Sequence, residues 1–277
     1  FVEEKFLEIC ATFGPDSLNA LTFILGHELA HFYRNHGWVS TSGMGYVDAD
    51  MQEDWKEMKK DLANHAKDET EADIFSGFYA LVAGYNAMPV AENTLKTLYK
   101  SYNIPDTVPG YPTLEQRVAI AETAMEKSQD LYTLFNAGLY CVATEKYEVA
   151  AQIYTYIFNQ DYSGKEILNN LAISEILQGY QMIGEEPQYY YPIFVSTETA
   201  LDPNSRGTEG DEHIRKGIFY LQEALKKDPN DFTTYINLAS GFTMLGEFVD
   251  AEYHLAKAQA LEENKPAISC LQGIIAA

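Results

Sequence analysis

Small and bulky apolar residues recur through the second half of the chain on a frame of about 34 residues. Leu134, Ala137, Gly138, Ala150, Tyr154 and Ile157 occupy one frame. One period later come Leu168, Leu171 and Ala172. Gly217, Leu221, Ala224 and Pro229 fit the second half of a later frame, and Tyr235, Leu238, Ala239, Phe242, Ala251, Leu255 and Ala258 fill the next. A unit of this length holds two helices, and its small residues let them approach closely. No such unit buries its apolar face alone, so neighbours must stack into a solenoid. This pattern predicts three helical repeats, the middle one interrupted by an insertion around 183–211, with a capping helix from Pro266.

The segments LKKDPN (Leu225–Asn230) and LGEFVDA (Leu245–Ala251) resemble tetratricopeptide repeats. The resemblance implies a curved surface for peptides or partner proteins. Within the insertion, Tyr189, Tyr190, Tyr191 and Pro192 are read either as a contact patch for a partner or as a segment that packs back onto the repeats. His213 and His254 read as structural.

The first half is also helical. Asp16 or Ser17 can cap a helix in which Leu18, Leu21, Leu25, Leu29 and Phe32 recur at helical steps, with Gly37 as its stop. Trp38–Val47 is Gly/Ser-rich and suits a short strand or hairpin. Helical patterns return over Asp50–His65, Glu69–Tyr85 and Val90–Tyr102, followed by a loop at Pro105, Pro109, Gly110 and Pro112. The expected organisation is mainly α, with a first domain over 1–125 and a repeat domain over 126–277.

Composition narrows the function. The chain carries 41 acidic and 19 basic residues, a net charge of −22. That surface repels phosphate backbones and anionic lipid, which argues against nucleic-acid binding. Cys10, Cys141 and Cys270 are widely spaced and form no metal or disulfide pattern. No apolar run reaches the roughly 18–20 residues of a membrane helix. Phe1 opens no signal-peptide pattern, as in a chain that begins after a processed leader.

The first half carries the chemistry. His27-Glu28-Leu29-Ala30-His31 puts two imidazoles one helical turn apart on one face, where both can reach a single ion. Glu28 beside them points at the metal's open side, as a general base requires. A catalytic zinc needs a third protein ligand. A histidine six residues beyond His31 would supply one pattern, but Gly37 stands there and Arg34 replaces the glycine that pattern needs. Glu69-Thr70-Glu71-Ala72-Asp73 supplies another. Glu69 and Asp73 lie one turn apart, so Glu69 can bind zinc while Asp73 accepts the free ring N–H of a ligand histidine. Ala72 lets the two helices pack. Glu71 is the alternative ligand, and His65 is read as a solvated helix histidine that could reach the cleft. His36 reads as satisfying a local hydrogen bond.

These motifs, with Tyr111-Pro112-Thr113-Leu114-Glu115-Gln116-Arg117-Val118 in place of a His-Pro-x-x-x-x-Arg-Ile element, resemble the HtpX and CAAX-prenyl-protease type of zinc peptidase. With the repeats behind them, the arrangement is similar to that of BepA-like proteins. The resemblance implies a zincin-type endopeptidase in which His27, His31 and Glu69 bind Zn2+ and Glu28 is the general base. Asp73 orients a ligand, and Arg117 stabilises the oxyanion or orients Asp73. It implies a bacterial periplasmic or cell-envelope setting and polypeptide partners recruited by the repeats. Tyr111 stands where the family has a histidine and could donate to the oxyanion. The family's strands before the catalytic helix have no counterpart in Phe1–Gly26, which leaves Trp38–Val47 or a segment upstream as the substrate edge. The alternative function is a non-catalytic or latched peptide-binding scaffold that retains its zinc site.

Overall fold

The computed structural model describes residues 2–34, 55–107, 111–183, 189–194 and 208–277. His36 and Trp38–Val47 lie outside the described residues. Among the described residues the protein is 80% helix with no strand, and is therefore mainly α. It divides into two compact units, Phe1–Thr133 and Leu134–Ala277.

The first unit contains α1 (Glu4–Ala11), α2 (Ser17–Arg34), α3 (Trp55–Val82), α4 (Ala91–Tyr102) and the first part of α5 (Leu114–Ala143). The sequence pattern suggests two helices where α3 runs as one, because nothing between His65 and Glu69 breaks a helix. The apolar stripe of α2 is not its buried face. Leu18 is 58% and Phe32 60% exposed, and Leu29 is exposed too, while Ala20, Phe23, His27 and Ala30 are buried. Both faces have helical spacing, and the smaller residues won because α3 comes very close. A Cβ on Gly26 would meet the Ser76 hydroxyl at 2.5 Å, and Ser76 donates to the Phe23 carbonyl at 3.1 Å. Ala72 is fully buried alongside.

The second unit contains the rest of α5, then α6 (Tyr147–Asn159), α7 (Lys165–Gln181), α8 (Thr208–Lys227), α9 (Phe232–Met244), α10 (Phe248–Leu261) and α11 (Pro266–Ala276). The frame residues Ala150, Tyr154, Ala172, Leu221, Ala239 and Ala251 are all fully buried. Their packing is as close as small residues permit. A Cβ on Gly217 would lie 2.6 Å from the Ala172 carbonyl oxygen, and one on Gly138 2.6 Å from the Tyr154 ring. The turns after α5 and α9 use a left-handed residue at the same frame position, Glu145 (φ 59°) and Gly246 (φ 74°). Asp231 caps α9 by accepting from the Thr234 N–H at 2.8 Å. Lys165 at the start of α7 binds both Asp228 (2.7 Å) and Asp231 (3.2 Å). The tyrosine segment of the insertion packs back onto these helices: Tyr191 and Ile193 are buried, and Tyr191 meets the Tyr180 ring edge-on at 5.5 Å.

Candidate metal centre

Two helices build the site. α2 presents His27 and His31 one turn apart, and α3 presents Glu69 and Asp73 one turn apart, with Gly26 and Ser76 setting their spacing. The His27 and His31 Nε2 atoms are 2.9 Å apart. Glu69 faces both, with Oε2 3.3 Å from His27 Nε2 and Oε1 3.5 Å from His31 Nε2. The three ligand atoms all lie within 4.8 Å of one another, so this group could hold one metal ion.

The donor chemistry fits zinc. His27 Nδ1–H donates to Asp73 Oδ1 at 2.7 Å, which turns Nε2 towards His31 and Glu69, where a metal would take the place of its proton. Two imidazole nitrogens and one carboxylate oxygen match a three-ligand zinc site with an open position. Burial disfavours a charged His27, but the charge and hydrogen bond of Asp73, aided by Glu69, raise its pKa to about 9. For Glu69, burial opposes ionisation. The hydrogen bonds from His27 and His31 and the charge of Arg117 overcome it and hold the carboxyl well below the usual carboxylate range.

Arg117 reaches the site from α5. Only 4% exposed, it sets Nη1 2.7 Å from Glu69 Oε2 and 3.3 Å from Asp73 Oδ2, with Nη2 3.5 Å from Asp73 Oδ1. Arg117 thus pairs with both Glu69 and Asp73, and shares Glu69 Oε2 with His27. Tyr111 donates to Glu69 Oε1. Burial and the negative charges of Glu69 and Glu28 push its phenol up. Glu28 itself is exposed.

Glu71 turns away from the histidines and pairs with Arg34, whose guanidinium sits 4.7 Å from the Phe75 ring centre. Glu69 is therefore the carboxylate the fold brings to the histidines. His65 is half-buried, its ring 5.7 Å from that of Tyr111, rather than simply solvated. Sequence reasoning missed the Gly26–Ser76 contact, although a glycine directly before the first histidine was its signal. No family model, curated protein or solved structure matches the chain.

Proposed function

We propose that the protein is a zinc-dependent endopeptidase whose second unit, a tetratricopeptide-type solenoid, recruits polypeptide substrates or partners. The observation that carries this reading is the convergence of His27, His31 and Glu69, with Asp73 fixing the His27 tautomer from behind. The three ligands would hold the ion. When bound, zinc supplies the Lewis acid that polarises a peptide carbonyl and draws the pKa of water towards ~7. Glu28 takes the proton of the attacking water and returns it to the leaving amine. Arg117 and Asp73 keep the ligand carboxylate and imidazole in place. A bacterial envelope setting belongs to the same proposal.

Glu28→Gln tests the mechanism. Peptide hydrolysis should fall by ~10²–10⁴-fold while the protein keeps one zinc by elemental analysis, and full activity in this variant would remove Glu28 as the base. His27→Ala should instead lose the metal.

The Tyr111–Glu69 hydrogen bond favours a second reading, a latched site on a peptide-binding scaffold. Zinc-loaded protein that binds unfolded polypeptide yet cleaves no member of a broad peptide library would select it.

A further inference from the structure

The segment Tyr189–Phe194 lies on a face made by α7, α9 and α11, and that face reads its main chain. Asn237 holds one residue from both sides: its Oδ1 accepts the Phe194 N–H at 2.8 Å and its Nδ2 donates to the Phe194 carbonyl at 2.8 Å. Asn169 Nδ2 donates to the same carbonyl at 3.1 Å, and the Asn237 amide also donates to Asn169 Oδ1 at 2.9 Å. Ser240 donates to the Pro192 carbonyl at 2.8 Å, and the Cys270 thiol lies 3.6 Å from the Tyr190 carbonyl. Carbonyls of alternate residues, 190, 192 and 194, are met in this way, and the Tyr180 hydroxyl adds a longer bond to the Tyr189 carbonyl at 3.5 Å. Burial alternates too: Tyr191 and Ile193 are buried, whereas Tyr190 is 66% exposed. This is the pattern of an extended chain.

Asn169, Asn237 and Ser240 are themselves buried. Polar groups at such depth are kept where they are satisfied, and these are satisfied by peptide groups that every polypeptide carries. The side-chain component is apolar and aromatic, with Tyr180 against Tyr191. No charged side chain contributes to these contacts. The seat therefore suits an extended, uncharged, aromatic-rich peptide, not one sequence alone.

The insertion is also separable from the helices it joins. α7 and α8 touch directly where it leaves and returns: a Cβ on Gly179 would lie 2.3 Å from the Gly210 carbonyl oxygen, and Gly217 abuts Ala172 further along. That helix contact does not pass through Tyr189–Phe194. A loop whose ends meet on a rigid pair can be exchanged at low topological cost.

We propose that the α7–α9–α11 face is a binding groove for an extended aromatic polypeptide segment, and that Tyr189–Phe194 occupies it as a displaceable internal ligand. Binding of an outside segment then requires the insertion to leave, so the groove is self-gated. This deepens the recruiting role given above to the second unit and does not depend on the metal.

The test uses a fluorescent synthetic peptide spanning 188–195 (QYYYPIFV) and the full chain with 184–207 replaced by a short Gly-Ser linker, which keeps Ile183 against Gly210. By anisotropy, in chelator, the excised chain should bind the peptide at least ~10-fold more tightly than the intact chain, since a ligand must otherwise outcompete a tethered segment. Asn237→Ala in the excised background should remove that gain. An excised chain of intact helicity that binds no peptide overturns the proposal, as does an intact chain that binds equally well. A second measurement stands should the excised chain fail to fold. In the intact, isotope-labelled chain, the Phe194 amide should exchange with solvent faster than the α9 core amides, and faster still with unlabelled peptide present. Exchange of Phe194 in step with α9, unmoved by peptide, makes the segment a fixed part of the core and overturns it. Loss of zinc-dependent cleavage alone would sink the peptidase reading and leave the groove untouched.

Discussion

Replacing Arg117 by methionine removes the positive charge between two buried carboxylates while roughly keeping side-chain volume. At 2.7 Å the Glu69 contact corresponds to ~6 kcal/mol of Coulomb attraction at an effective dielectric of about 20, and at 3.3 Å the Asp73 contact to ~5 kcal/mol. Desolvation of the three ions offsets much of this. Deleting one partner of such a buried group still costs about 3–5 kcal/mol, because the survivors stay buried and uncompensated. Without zinc, the variant's first unit should therefore melt on the order of 10 °C lower. Zinc should rescue it disproportionately, since a divalent ion at Glu69 replaces the missing charge and meets no competing guanidinium. Calorimetry of both chains, with chelator and with excess zinc, reads the two effects. Equal melting of variant and parent in chelator would falsify the electrostatic account of Arg117, and an equal zinc-induced shift in both would refute its competition with the metal.

Asp73→Asn should weaken zinc binding ~10–100-fold in a chelator-competition titration, whereas Glu71→Ala, which breaks the part-buried Arg34 pair but removes no atom of the ligand group, should leave affinity within about twofold. Gly217→Ala should destabilise the second unit by about 1–3 kcal/mol or more in urea unfolding, because the new methyl meets the Ala172 carbonyl and a Cγ of Ile176, at least one of which is backbone. His254 stacks on Phe242 at 5.3 Å, and burial pushes its pKa below the ordinary 6.5. Below about pH 6.5 the unfolded chain thus binds a proton the folded one resists, and stability falls as pH falls towards the depressed folded value. His254→Phe should flatten that acid-side loss in melting curves taken between about pH 7 and 5.

Helix content was legible because periodicity is a local property. The two helical turns His27–His31 and Glu69–Asp73 follow from spacing alone, whereas the left-handed turn residues Glu145 and Gly246 were not singled out by it. A residue one turn away on a helix is a neighbour whatever the rest of the chain does. The histidines and Glu69 could be shortlisted for the same reason. The buried face of α2 could not: two faces had helical spacing, and only the approach of α3 at Gly26 decided for Ala20, Phe23, His27 and Ala30. Spacing put Glu69 first through its one-turn pairing with Asp73 and left Glu71 as the alternative; what separates them in the fold is Arg34, which pairs with Glu71. Arg117 illustrates the limit most clearly. Its motif marked it as close to the site, yet its bond to both Glu69 and Asp73 joins residues more than forty positions away on another helix. The sequence by itself determined the helices, their small-residue contacts and a ligand shortlist. Tertiary packing alone decided which faces met, which carboxylate joined the histidines, and that a stretch of the insertion would lie along the asparagines of α7 and α9, because those outcomes depend on distances between segments that no local pattern encodes.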